Sequence, residues 1–128
     1  MKELTLTNSE WYVLDCLWER SSMTVMELVA ALGERLDWAK STTITILRRM
    51  EEKGLVRCEV EGRTRHYFPA VKRHQAVVRE TKSFLDKVYG GSVGLMVSAM
   101  AQDKALSKEE IDQLYEILRK AEEGEHDV

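Results

Sequence analysis

The sequence lacks the long apolar run that a membrane-spanning helix needs, because its apolar stretches are only a few residues long. Residues 1–5 also lack the apolar core of a signal peptide, so we expect a cytoplasmic protein with no membrane insertion. Cysteine is scarce: Cys16 and Cys58 stand alone, without a Cys-x-x-Cys or Cys/His cluster. Neither a disulfide framework nor a zinc site is therefore predicted.

Catalytic motifs are missing as well. No nucleophile stands near a credible base, no glycine-rich phosphate loop occurs, and no carboxylate pair lies in an apolar setting. The histidines His66, His74 and His126 are far apart and lack the spacing of metal ligands. We therefore expect no enzymatic activity, no cofactor and no metal.

Negative charge prevails overall, with a net charge of −3, but its distribution is uneven. Residues 1–34 carry a net charge of −4, residues 35–74 one of +5, and residues 75–128 one of −4. Local fields rather than net charge steer DNA. The basic middle segment therefore favours a nucleic-acid partner.

Three capping boxes predict the starts of three helices. In each, a Thr or Ser precedes a Glu by three residues, which is the spacing at which the two side chains cap each other's backbone amides. The first of these helices is predicted to end near Arg20, and the second to stop at Gly33. The three pairs are Thr7 with Glu10, Thr24 with Glu27, and Ser107 with Glu110.

Residues 40–53 have the composition of a DNA-recognition helix, and Gly54 follows at the position of a left-handed C′ residue. Small polar side chains at the start of such a helix can approach base edges, and its arginines can reach phosphate or guanine. Ser41 is alternatively only the N-cap. Ile44 is either a core-edge residue or an apolar contact to a thymine methyl. At about 100° per residue, the inward residues are Thr43, Ile46, Leu47 and Met50, and the predicted DNA contacts are Lys40, Ser41, Thr42, Thr45, Arg48 and Arg49.

A β-hairpin is predicted next, because residues 56–60 alternate apolar and charged side chains and a glycine-containing turn follows. Its tip carries Arg63 and Arg65, which we predict to contact phosphate or the minor groove; the alternative is an ordinary charged turn. Three helices followed by a hairpin is the order of a winged helix-turn-helix. The predicted fold class is therefore mainly α with a small β-hairpin wing, and residues 1–70 form the DNA-binding domain.

Residues 71–128 are predicted to form a helical dimerisation domain. Helical periodicity over residues 71–89 is broken at Gly90-Gly91, Ser92 can cap a short apolar helix, and residues 124–128 read as a polar, frayed tail. Three short helices cannot bury their wide apolar faces alone, which favours a homodimer. Twofold symmetry would set two recognition helices one DNA turn, ~34 Å, apart. The predicted interface residues are Phe84, Leu85, Met96, Leu114 and Leu118.

Four segments together carry a family resemblance. They are Leu6 to Leu14 with Leu17-Trp18, Thr42 to Met50 ahead of Lys53-Gly54-Leu55-Val56, Phe84 to Ser92, and Leu106 to Leu118. With these segments the chain resembles the BlaI/MecI family of transcriptional repressors, the penicillinase and methicillin-resistance repressors. The resemblance covers nearly the whole chain. It implies a homodimer that binds a dyad operator in double-stranded DNA and represses its own operon.

The resemblance also implies a route of induction. In the family, a membrane-bound sensor metalloprotease sets off cleavage in the dimerisation region, and in the staphylococcal members the cut falls at an Asn-Phe bond. The aligned bond here is Ala99–Met100, so that dipeptide is absent. Related copper-responsive repressors carry C-terminal Cys-x-Cys motifs. This chain has no cysteine after Cys58, which excludes that copper chemistry.

Two functions of different classes follow from the sequence. The leading hypothesis is a sequence-specific, dimeric, DNA-binding repressor. The alternative is a winged-helix module that binds protein and no DNA. The basic segment between acidic flanks favours the repressor.

Overall fold

The computed structural model describes residues 6–126, and within them it contains six α-helices and one three-stranded antiparallel sheet. The predicted fold class, mainly α with a small β wing, is confirmed. In chain order the elements are α1 (Asn8–Arg20), β1 (Met23–Thr24), α2 (Val25–Leu36), α3 (Lys40–Glu52), β2 (Val56–Glu61), β3 (Thr64–Pro69), α4 (Arg73–Tyr89), α5 (Val93–Gln102) and α6 (Lys108–His126).

The capping boxes form as predicted. At the start of α1 the amide of Glu10 donates to Thr7 Oγ1 at 3.2 Å, and the amide of Thr7 donates to Glu10 Oε1 at 2.9 Å. The same reciprocal bonds open α2 and α6. Each box satisfies backbone amides that a helix start otherwise leaves without partners.

Helix α2 does not stop at Gly33, so that prediction was wrong. It continues to Leu36 and ends at Asp37, whose left-handed φ of 57° lets its amide donate to the Gly33 carbonyl at 3.0 Å. A glycine inside a helix costs about 1 kcal/mol relative to alanine. Burial of Leu32 and packing of Leu36 against the core offset that cost, so the helix extends past Gly33 to Leu36.

The sheet has one strand more than the predicted hairpin. Strands β2 and β3 form the hairpin, with Gly62 at φ +66° in its turn. The short strand β1 pairs with the other edge of β3, where Met23 faces Tyr67. A two-residue strand is too short to show alternation in the sequence, which is why it was not predicted.

Two compact units make up the described chain, and their boundary lies inside α4, between Ser83 and Phe84. The first unit, residues 6–83, is called the head below. Its core lies among α1, α2, α3 and the sheet. The indole of Trp18 donates to the Val71 carbonyl at 2.9 Å, and the rings of Trp11 and Trp18 meet edge to face with centroids 5.4 Å apart.

The second unit, residues 84–126, is called the arm. Positive φ angles at Gly90 and Gly91 break the chain after α4, and Ser92 caps α5 by accepting from the Leu95 amide at 3.1 Å, as predicted. Helix α6 runs to His126, so the predicted frayed tail was wrong for residues 124–126, and residues 127–128 lie outside the described chain. The functional division at residues 70 and 71 stays a prediction.

The helices of residues 6–126 were compared with the length and composition of a membrane span. No helix there combines the length and the apolar composition needed to cross a bilayer.

Candidate nucleic-acid interface

Helix α3 has the two faces that its sequence predicted. Thr43, Leu47 and Met50 are at most 1% exposed and pack inward, and Ile46 is half-buried against the core. Ile44 is also half-buried, which leaves both of its predicted roles open. The exposed side of the helix carries Ser41, Thr42, Thr45, Arg48 and Arg49.

The N-terminus of α3 differs from those of α1 and α2, because no side chain caps it. The N-cap is Ala39, so the alternative that Ser41 is only an N-cap was wrong. The first turn has no acidic residue, and Lys40 and Ser41 are exposed beside it. Uncapped amides at the positive end of a helix dipole favour an anion such as a phosphate.

The wing tip is basic and exposed. Arg63 lies in the turn and Arg65 near the start of β3. In contrast, Arg57 stacks over the Phe68 ring at 4.9 Å and lies 3.5 Å from a Glu59 oxygen. Among the side chains of residues 6–124, no carboxylate oxygen lies within 4.0 Å of the charged nitrogens of these arginines: Arg48, Arg49, Arg63 and Arg65.

An ion pair with α1 holds the C-terminal end of α3. Lys53 is its C-cap, and Gly54 follows at φ +78°, in the left-handed region that the sequence predicted. The Lys53 ammonium donates to Glu10 Oε2 at 2.7 Å, and the Glu10 side chain is only 5% exposed. Lys53 is therefore engaged by a buried carboxylate of α1, while Arg48 and Arg49 point to solvent.

The ion pair governs the ionisation of Glu10. Burial alone would raise the pKa of this carboxyl, but the hydrogen bond from Lys53 and the bonds with Thr7 hold its pKa below the usual value of 4.5. A carboxyl with a lowered pKa contributes stability above the pKa of the unfolded chain. That contribution is lost as the pH falls through the folded-state pKa.

We expect Lys53→Met to lower the free energy of unfolding at pH 7 by about 1–3 kcal/mol, because the Glu10 carboxylate stays buried without its cation. Thermal melts followed between pH 7 and pH 3 should show the difference in stability from the parent protein narrowing as the pH falls, because burial without the cation raises the pKa of Glu10 in the variant, whose carboxyl therefore takes up a proton first. Lys82→Met is the matched control, since Lys82 is exposed and no described carboxylate pairs with it. A gap that stays constant down to pH 3 would contradict the assignment.

The predicted dimerisation residues all lie in the arm. Phe84 is 51% and Leu118 is 62% exposed, and Leu85, Met96 and Leu114 are half-buried. None of residues 84–124 is fully buried in the single chain. The predicted cleavage bond, Ala99–Met100, lies inside α5, with Met100 37% exposed.

The buried cysteine and the possible metal ligands were also considered as parts of a second site in the described chain. Cys16 is buried, and burial raises the pKa of its thiol, which disfavours the reactive thiolate. Among the residues that the structure describes, no group of three His, Cys, Asp or Glu side chains is arranged to hold a metal ion.

Comparison with known proteins identifies the family. The family model described as "Penicillinase repressor" matches residues 6–120. This chain belongs to the penicillinase repressor family. It is 31% identical over 113 residues to the penicillinase repressor of Bacillus licheniformis, with 88% of each chain covered. It is 24% identical over 119 residues to the methicillin resistance regulatory protein MecI of Staphylococcus aureus strain N315, covering 93% of this chain and 97% of MecI.

A solved structure supports the winged-helix fold. The solution structure of monomeric Bacillus licheniformis BlaI in complex with the blaP half-operator matches with a TM-score of 0.51 and 28% identity, over 56% of this chain and 88% of that chain. The predicted family, the winged helix-turn-helix and the class of DNA-binding repressor are thereby confirmed. The individual DNA contacts, the dimer interface and the cleavage bond stay predictions.

Proposed function

We propose that this member of the family represses transcription by binding a dyad operator as a homodimer. The observation that carries the proposal is the exposed face of α3, where arginines with no carboxylate partner among the described residues follow an uncapped helix start in a chain that belongs to a repressor family. The structure of BlaI, a structural neighbour of this chain, was determined in complex with a half-operator. A half-operator is the DNA that one subunit of a dimer would bind. Repression by occupancy needs no catalysis, and we propose no enzymatic activity.

In the proposed complex the first turns of α3 enter the major groove. Thr42 and Thr45 are the residues best placed to read base edges, and the backbone amides of Lys40 and Ser41 donate to a phosphate oxygen. Glu51 and Glu52 are exposed at the opposite end, and their charge would repel the DNA backbone. The wing arginines Arg63 and Arg65 add contacts to phosphate or the minor groove.

The homodimer rests on the apolar surface of the arm. A 41-residue stretch without a single fully buried side chain has too little core to be stable alone. A second copy of the arm is the partner that such a surface fits, because twofold symmetry lets one patch cover itself. This interface would include Phe84, Leu85, Met96, Leu114 and Leu118.

Relief of repression is proposed to follow cleavage in the arm, set off by a membrane-bound sensor metalloprotease. The Ala99–Met100 bond is the proposed position. Because this bond lies inside α5, the helix must open locally before a protease can bind it in an extended form. The repressor would work where its operator is, in the cytoplasm.

The alternative of a protein-binding module without DNA contact is disfavoured. Such a module would need an acidic protein partner for the exposed arginines of α3 and of the wing, whereas DNA presents a phosphate at every nucleotide. Membership of a repressor family also favours DNA.

The proposal is tested by titrating the protein into a labelled duplex from the region upstream of its own gene. We expect specific binding whose affinity falls steeply with salt, with a slope of log K against log [salt] of about −0.9 per phosphate neutralised. A scrambled duplex of equal length is the control. Equal affinity for both duplexes, or no binding even at a low salt concentration of about 50 mM, where such contacts are strong, would refute a sequence-specific repressor.

A further inference from the structure

Residues 6–10, the N-terminal segment of the head, connect the recognition helix α3 to α4 through a series of hydrogen bonds. The Leu6 amide donates to Glu80 Oε1 on α4 at 2.9 Å. The next amide, that of Thr7, donates to Glu10 Oε1 at 2.9 Å, and the second oxygen of Glu10 accepts from Lys53 at 2.7 Å. All of these residues belong to the head.

Two of these bonds span long distances in sequence and are at least partly shielded from water. Residues 6 and 80 are 74 positions apart, and residues 10 and 53 are 43 positions apart. Both involve a carboxylate, and charge-assisted bonds are roughly twice as strong as neutral ones. The capping box supplies the link between them, so Glu10 has two roles: it caps α1 and it holds the end of α3.

We infer that Glu80 and Glu10 are positioning residues for operator recognition, which hold α3 and residues 73–83 of α4 in one fixed relation within the head without contacting DNA. The inference rests on the proposed function. Apolar contacts alone hold surfaces together but resist sliding weakly, whereas hydrogen bonds at both ends of a short segment fix direction and register. Glu80 attaches the segment to α4 by accepting from the Leu6 amide. The Glu10–Lys53 pair attaches it to the C-terminal end of α3.

Loss of these hydrogen bonds should affect binding to an isolated half-site and binding to the complete dyad differently. A single head needs only its own α3 to be firmly held when it binds a half-site. A dyad requires two recognition helices to meet successive major grooves together, so it also depends on how residues 73–83, the part of α4 that lies in the head, are held against the rest of that head. Loss of the Glu80 bond should therefore affect the dyad and spare the half-site, whereas loss of the Lys53 bond should affect both.

The experiment compares the full-length parent with Glu80→Ala, Glu80→Gln and Lys53→Met on two duplexes, the complete operator and an isolated half-site. For Glu80→Ala we expect dyad affinity to fall by about five-fold, the equivalent of one ordinary hydrogen bond, and half-site affinity to stay within about two-fold. Glu80→Gln keeps an acceptor oxygen for the Leu6 amide and should bind nearly as the parent does. Lys53→Met should lose affinity for both duplexes.

Sedimentation and thermal melts confirm that each variant is folded and has the oligomeric state of the parent. If Glu80→Ala does not fold, Glu80→Asp, whose side chain is one methylene shorter, replaces it. Equal dyad affinity of Glu80→Ala and the parent, equal losses on both duplexes, or a Glu80→Gln protein as weak as Glu80→Ala would each overturn the inference. Failure of the parent itself to bind either duplex refutes the proposed function instead.

Discussion

Arg48→Ala is expected to weaken operator binding by about ten- to a hundred-fold, the range for one lost arginine contact to a base or a well-placed phosphate. The Arg48 side chain is exposed on α3, and no described carboxylate pairs with it, so its charge is free for DNA. Because it supports no contact of the core, the melting temperature should change little. Arg49→Ala should behave similarly, since its side chain is also exposed on this helix.

Titrations at several salt concentrations separate the two kinds of contact. Loss of a phosphate contact lowers affinity for all sequences and reduces the salt slope by about one unit, whereas loss of a base contact relaxes specificity at one position. Arg79→Ala is the matched control, because Arg79 is an exposed arginine on α4 outside the predicted interface. Undiminished operator affinity of both Arg48→Ala and Arg49→Ala would remove this face of α3 from the interface.

Leu118→Asp is expected to dissociate the proposed homodimer and to reduce dyad affinity by about 10²- to 10⁴-fold, because the second head then binds without the advantage of being linked to the first. Leu118 is 62% exposed in the single chain, so a charge there costs the monomer little. In a dimer interface the same charge would be buried without a partner, which is strongly unfavourable. Analytical ultracentrifugation at micromolar concentration measures the dissociation.

Lys120→Asp provides the control for this change, because the Lys120 side chain is 71% exposed on the same helix and is not among the predicted interface residues. It should leave the dimer intact. A Leu118→Asp protein that remains dimeric, or a parent protein that sediments as a folded monomer, would contradict the proposed interface.

Local chemistry made much of the fold predictable. Each capping box needs only two side chains three residues apart, so Thr7 with Glu10 could be recognised without knowledge of the rest of the chain. The inward face of α3 was predictable for the same reason, because helical periodicity alone puts Thr43, Leu47 and Met50 on one side.

Features that depend on distant residues were not predictable from the sequence. The end of α2 at Asp37 and the strand β1 are determined by packing against other elements, which outweighs the local preference of Gly33. The Glu80 contact joins residues 74 positions apart, and no spacing rule connects them. Glu10 was recognised as a cap but not as the partner of Lys53, since a single side chain gives no indication of a second role.

The positions of the tryptophans make intrinsic fluorescence a probe of one part of this protein. All three tryptophans, at positions 11, 18 and 38, lie in the head, and the arm has none. The intrinsic indole emission therefore reports on the environment of the head alone, and the close edge-to-face pair of Trp11 and Trp18 contributes a near-ultraviolet circular dichroism band there. Fluorescence therefore follows the head, whereas sedimentation measures the proposed association of two chains.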